Sequence, residues 1–167
     1  MSSPILLVVM VLGYFDTGSP IFIQERVGRN QKPFALVKFR TMKLETKDMA
    51  SHLASRSSVT TLGSYLRRTK LDELPQLWNV LKGEMSLVGP RPSLFNQHDL
   101  IDARVRKGVL NVRPGITGLA QLNHIDMSTP ELLAEKDAEM SKYVNINSYF
   151  KYLIMTILGG GRGDRVE

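Results

Sequence analysis

Apolar residues open this chain in a block with almost no polar interruption. Residues 5–12 are all aliphatic or Met, and Tyr14 and Phe15 extend the run. A helix that crosses a bilayer needs ~20 apolar residues. A run of this length therefore fits a buried helix or a re-entrant or interfacial segment. No basic residue precedes it and no small-residue cleavage site follows, which argues against a signal peptide. Ser3-Pro4 stands at its start, and proline there marks a break or a first helical turn. Between residues 21 and 42 the period changes. Two short β-prone runs, Ile21-Phe22-Ile23 and Phe34-Ala35-Leu36-Val37, flank the turn-forming Gly28-Arg29-Asn30-Gln31-Lys32. The pattern predicts a β-hairpin, with Lys38 and Arg40 on one face at its far end.

Helical spacing dominates the rest. Residues 43–60 are polar and read as a connection or a weak helix. Residues 61–69 read as a helix with Leu62, Tyr65 and Leu66 on one face. Leu71, Leu74, Leu77, Trp78 and Leu81 predict a further helix that Gly83 ends. Asp72 and Glu73 stand at its start, where the helix directs its positive end, and Pro75 is tolerated in a first turn. Gly89-Pro90-Arg91-Pro92 reads as a rigid loop, residues 92–109 as a helix, and residues 113–121 as a second loop punctuated by Gly and Pro. Thr129 and Pro130 are the N-cap and first position of another helix, whose charged stretch after Ala134 is expected to face solvent. Residues 149–158 are aromatic and apolar but too short to span a membrane. Residues 159–167 read as a flexible tail. The predicted class is α+β: a mostly helical single domain with a small β-hairpin and amphipathic helices.

Composition narrows the chemistry. Hydrophobic residues make up 43% of the chain, too many for a disordered polymer. The absence of cysteine excludes disulfides, thiolate metal sites and a cysteine nucleophile. His52, His98 and His124 share no metal-ligand spacing. A net charge of +6 favours an anionic partner. The basic residues are dispersed and no aromatics interleave with them, so the chain lacks a nucleic-acid stacking surface.

An Asp-Glu pair in a first turn is commonly only a dipole partner. Here Arg67, Arg68 and Lys70 precede it, and arginine-bearing rigid loops follow at Arg91 and Arg113. Carboxylates beside guanidinium groups suit phosphoryl transfer. The P-loop signature G-x-x-x-x-G-K-[ST] and the hydrolase signature G-x-S-x-G are both missing.

Five segments occur in order: Gln24-Glu25-Arg26-Val27-Gly28, Lys38-Phe39-Arg40-Thr41-Met42, Leu71-Asp72-Glu73-Leu74-Pro75-Gln76-Leu77-Trp78-Asn79, Ser86-Leu87-Val88-Gly89-Pro90-Arg91-Pro92 and Arg113-Pro114-Gly115-Ile116-Thr117-Gly118-Leu119-Ala120-Gln121. Together they resemble the monotopic polyprenyl-phosphate phosphoglycosyl transferases, the bacterial initiating sugar transferases. The resemblance runs over nearly the whole chain. It implies that Asp72 attacks the β-phosphate of a UDP-sugar, that UMP leaves, and that polyprenyl (undecaprenyl) phosphate takes the phosphosugar from the aspartyl intermediate. It implies Mg²⁺ held by Glu73 and Asp72, phosphate binding by Lys38, Arg67 and Arg91, and nucleotide binding by Arg113, Gly118 and Gln121.

By the same resemblance, Ser3 and Pro4 are the break of a helix that enters the membrane and leaves on the same face. Residues 1–16 are then a shortened re-entrant segment without its entering half, residues 17–158 the catalytic domain, and residues 149–158 an interfacial segment among membrane lipids. The implied setting is the cytoplasmic face of a bacterial inner membrane, at the first membrane step of glycoconjugate biosynthesis such as O-antigen or exopolysaccharide. A homodimer stays open. Residues 123–130 look most like those of members that use N-acetylated amino sugars. The alternative is an inactive scaffold for glycan assembly.

Overall fold

A computed structural model of the protein describes residues 3–46 and 56–158. Among these the elements run α1 (Ser3–Thr17), β1 (Ile21–Val27), β2 (Pro33–Phe39), α2 (Thr61–Thr69), α3 (Gln76–Leu81), β3 (Ser86–Val88), α4 (His98–Arg106), β4 (Gly115–Thr117), α5 (Leu119–Leu122), α6 (Pro130–Tyr143) and α7 (Ile146–Ile157). The expected hairpin is present: β1 pairs with β2 across a turn in which Asn30 and Gln31 take positive φ and the Gly28 N–H donates to the Lys32 carbonyl. The weak helix or connection expected before residue 56 and the tail after residue 158 fall mainly outside the described residues. Between β2 and α2 the described residues include a bridge between Met42 and Val59 and a 3₁₀ turn over Arg56–Ser58.

The chain divides into two compact units. The described part of the first comprises residues 3–24 and 36–78; the second comprises residues 25–35 and 79–158. In the first unit, Val9, Phe39 and Leu66 form a buried cluster, with Leu6, Ile21, Leu62 and Leu71 packed against it. Leu6, Val9 and Gly13 lie on one stripe of α1, and a side chain at Gly13 would meet Pro20. The other apolar residues of α1 are exposed. Thr60 caps α2 by accepting from the Gly63 N–H. Gly63 lets α2 lie directly on the Thr41 backbone, where any Cβ would collide.

In the second unit the core is Leu100, Ala103, Ala120, Leu133 and Ala134, packed where α4 and α5 meet α6. β3 and β4 pair in parallel, Ser86 with Gly115 and Val88 with Thr117. β4 lies inside the segment 113–121 that the sequence reads as a loop, and β3 falls just before the loop read at residues 89–92; three residues are too few to display a period. α7 packs on it through Tyr149 Oη to Ser86 Oγ, 3.1 Å, and Thr156 Oγ1 to Thr117 Oγ1, 2.6 Å. Asn145 and Ser148 form a capping box at the start of α7.

Three expectations need correction. The helix expected over residues 92–109 is confined to His98–Arg106. The carbonyls of Arg91, Pro92 and Ser93 accept from donors elsewhere in the unit, which hold this segment outside the helix. The charged stretch of α6 does not wholly face solvent, since Asp137 is buried. The helix expected along residues 71–81 is confined to Gln76–Leu81, and its apolar stripe is turned outward at its far end. Trp78 is 60% and Leu81 80% exposed, while Gln76 and Asn79 are buried. No helix among the described residues is long and apolar enough to cross a membrane.

Candidate active site

α2 ends at Lys70, which takes a left-handed conformation with φ 58°. A side chain held there costs about 1 kcal/mol or more. The kink ends the helix after Thr69 and starts a 3₁₀ turn over Leu71–Glu73. Asp72 and Glu73 therefore stand in a tight turn before α3, and α3 itself is only six residues long. The helix dipole expected to face them is correspondingly short. Gly83, with φ 75°, ends the segment as its sequence position predicts.

Both carboxylates are buried, Asp72 at 6% and Glu73 at 9% exposure. Lys38, Gln24, Thr41 and Gln76 are buried in the same unit. Buried polar side chains are costly unless they are paired or have a ligand to serve. Their concentration here, in a unit with few buried apolar residues, marks a site rather than a core. Lys38 and Arg40 both lie over the Phe22 ring, 5.4 and 5.2 Å from its centroid, as their shared face predicts. Arg67 donates from Nε to Thr41 Oγ1, 2.8 Å. Its Nη1 is buried with no acceptor among the described residues. An orphaned guanidinium nitrogen fits an anionic ligand.

The same test can be put to a metal. Mg²⁺ takes one or two carboxylates and fills its octahedron with water and phosphate oxygens. Asp72 and Glu73 fit that arrangement, and no group of three or more His, Asp or Glu among the described residues offers a cage made of protein alone.

The second unit carries the remaining candidates. Gly89 crosses Gly115 and Gly118 so closely that a Cβ on any of the three would strike backbone. The crossing is tied by Gly89 N–H to the Thr117 carbonyl, 2.8 Å, and Gly115 N–H to the Pro90 carbonyl, 2.9 Å. It brings the loop bearing Arg91 against the loop bearing Arg113, Gly118 and Gln121. Arg113 is exposed and lines a cavity of about 400 Å³ with Arg29, Ser86, Val112, Met140 and Tyr149. Gln121 turns inward, donating from Nε2 to the Ile116 carbonyl, 3.1 Å, and so braces its own loop. Pro4 lies exposed in the first turn of α1; the Ser3 side chain is outside the described residues.

The sequence does not single out Arg104, Asp137 or Arg26. Arg104 and Asp137 form a buried ion pair, with Nη2 2.6 Å and Nε 3.0 Å from Oδ2. Burial pushes the Asp137 carboxyl up, and Arg104 beside it pulls it back. The missed signal was phase. Arg104 follows Leu100 and Ala103 on the inner face of α4, and Asp137 lies between Leu133 and Met140 on that of α6.

Comparison with known proteins places the chain in a family. A sequence profile described as "Bacterial sugar transferase" matches residues 1–161. The chain belongs to the bacterial sugar transferase family. It is 43% identical over 126 residues to a UDP-glucose:undecaprenyl-phosphate glucose-1-phosphate transferase of Klebsiella pneumoniae, covering 72% of this chain and 27% of that protein. It is 35% identical over 170 residues to a UDP-N-acetylgalactosamine-undecaprenyl-phosphate N-acetylgalactosaminephosphotransferase of Aeromonas hydrophila, covering 95% and 40%. Against the galactosyl transferase CpsE of Streptococcus agalactiae it is 35% identical over 156 residues, covering 85% and 34%. The chain thus spans about a third of the length of several curated relatives.

Proposed function

We propose that this chain transfers a sugar phosphate from a UDP-sugar to polyprenyl phosphate, in bacterial glycoconjugate biosynthesis, with Asp72 as nucleophile. The observation that carries the reading is the adjacent buried pair Asp72 and Glu73 in a unit that also buries Lys38 and holds an orphaned nitrogen of Arg67. The names of the relatives support the substrates. An Asp72 carboxylate oxygen forms a bond to the sugar-bearing phosphorus as the bond to UMP breaks, and UMP carries away the electron pair. A phosphate oxygen of the polyprenyl acceptor then bonds to that phosphorus, which returns Asp72 to its carboxylate form and gives a polyprenyl diphosphate sugar.

Lys38, Arg67 and Arg91 bind the phosphate oxygens and stabilise charge in the transition state. Arg113, Gly118 and Gln121 are assigned to the nucleotide. Glu73 and Asp72 would hold Mg²⁺, which when bound neutralises the diphosphate so that a carboxylate can approach it.

The same reading puts the protein at the cytoplasmic face of a membrane, with α1 as part of a re-entrant segment and α7 interfacial. Support comes from apolar faces that are exposed among the described residues: most of α1, Trp78 and Leu81 of α3, and Phe150, Ile154 and Ile157 of α7. An N-acetylated amino sugar is the proposed cargo, although the named relatives also include proteins for glucose and galactose.

The test is intact-protein mass after incubation with Mg²⁺ and a panel of UDP-sugars, without lipid acceptor. A gain of one sugar phosphate, absent in Asp72→Asn, is the expected result and identifies the sugar. An adduct that persists in Asp72→Asn would remove Asp72 as nucleophile. No adduct with any sugar would favour the scaffold reading.

A further inference from the structure

Four consecutive carbonyls around Arg91 are each held by a donor from elsewhere in the second unit, two of them from β1. Pro90 O accepts from the Gly115 N–H, 2.9 Å, and Ser93 O from the Val27 N–H, 2.9 Å. Between them, Arg91 O accepts from Nη1 of Arg104, 2.8 Å, and Pro92 O from Nη1 of Arg26, 3.3 Å. Both arginines are buried. The prolines at 90 and 92 fix φ on either side of Arg91 and have no N–H of their own to satisfy. The segment is therefore not a loop that packing happens to cover. Its backbone is stiffened by proline and gripped at every carbonyl from 90 to 93.

From this arrangement we infer that Arg104 and Arg26 are positioning residues: their guanidinium groups grip the backbone on which the Arg91 side chain is mounted. Arg104 is suited to the task because one planar fork serves two directions. Nε and Nη2 both reach Asp137 Oδ2, and Nη1 is left aimed at the Arg91 carbonyl. Asp137 thereby sets the plane of the guanidinium, and the apolar packing of Leu100, Ala103, Leu133 and Ala134 holds the two helices that carry the pair. A lysine in place of Arg104 would keep the charge beside Asp137 but cannot serve both acceptors in this geometry. The inference rests on the reading of Arg91 as a phosphate-binding residue. A phosphate clamp works only if it is already in place when charge develops, because reorganising it at that moment costs rate.

The test has two arms. Hydrogen exchange, which needs no activity, compares the Val27 and Gly115 amides in the wild-type protein and in Arg104→Lys. These amides donate to the two ends of the mount and are expected to exchange at least about 10-fold faster in the variant while the Leu133 and Ala134 amides do not change. Unchanged protection at Val27 and Gly115 would overturn the inference. The second arm measures UMP release for wild type, Arg104→Lys, Arg91→Gln and the double variant.

Arg104→Lys is expected to lower kcat about 10- to 100-fold with a smaller change in KM. Once Arg91→Gln has removed the mounted side chain, the same substitution is expected to have little further effect. Effects that simply multiply would mean that Arg104 acts on the fold and not through Arg91, and would overturn the inference. Arg91→Gln with full activity would instead sink the phosphate-binding reading of Arg91. A wild type that releases no UMP would sink the proposed reaction, and the exchange arm would then decide the mount alone.

Discussion

Buried charge in the second unit and buried charge in the first are organised differently. Arg104 and Asp137 are opposite charges 2.6 Å apart, each almost wholly buried, on two helices whose apolar residues enclose them. Asp72 and Glu73 are like charges on successive residues, placed in a strained turn after a left-handed lysine rather than in the middle of a helix. An opposite pair within an apolar core holds helices and loops in place. Two adjacent carboxylates in one turn raise each other's electrostatic energy unless positive charge is brought to them. Cationic side chains such as Lys38, or a divalent ion if one binds, would supply what such a pair requires. The comparison teaches that burial alone does not mark a catalytic charge; the sign of the neighbouring charge and the regularity of the backbone do.

The comparison can be broken by experiment, beginning with the largest effect. Asp72→Asn is expected to lower UMP release by roughly 10³-fold or more with little change in the midpoint of urea unfolding. A variant that unfolds more readily and keeps its activity would make Asp72 a structural charge like Asp137. Asp137→Ala is expected to do the reverse and to destabilise the fold by about 3–5 kcal/mol, because it leaves the Arg104 cation buried without its partner; equilibrium urea unfolding measures this.

Glu73→Gln is expected to shift the Mg²⁺ dependence of turnover more than the unfolding midpoint, as read from a magnesium titration. Trp78→Ser is expected to change stability by less than about 0.5 kcal/mol, since the ring is exposed, while lowering the fraction of protein that sediments with anionic vesicles. The smallest effect concerns Glu84, whose carboxyl is held below its ordinary 4.5 chiefly by Lys82, with Asn79 assisting. The stability it contributes is present above that ordinary value and is lost as pH falls through the lowered one. Acid titration of Glu84→Gln should therefore be flatter than that of the wild type below about pH 4.5.

The sequence discloses the parts of the fold that have a period or a punctuation mark. The hairpin is legible from β-prone runs around Gly28, α2 from Leu62 and Leu66, the end of α3 from Gly83 and the start of α6 from Thr129-Pro130. The candidate nucleophile is proposed chiefly from the ordered motifs of the family, because an Asp-Glu pair in a first turn is by itself commonly only a dipole partner. What stays hidden depends on partners distant in the chain. The β3–β4 pair has three residues per strand and joins segments separated by a whole helix. The outward turn of Trp78 and Leu81 inverts the usual meaning of a helical stripe, because buried polar groups at Gln76 and Asn79 claim the inner face. Asn79 spends its amide on the Ala35 carbonyl and the Glu84 carboxylate, both 2.8 Å away. A pattern of apolar positions carries no sign of such an exchange.

The grip on the Arg91 loop has a consequence for protein engineering. Pro92 is held by a residue 66 positions earlier in the chain, and Arg104 by one 33 positions later. A chimera that grafts only the Gly-Pro-Arg-Pro segment between two relatives would import the loop without its remote anchors. Exchange of this short motif alone should therefore fail here unless the Arg26, Arg104 and Asp137 positions travel together as one inherited set.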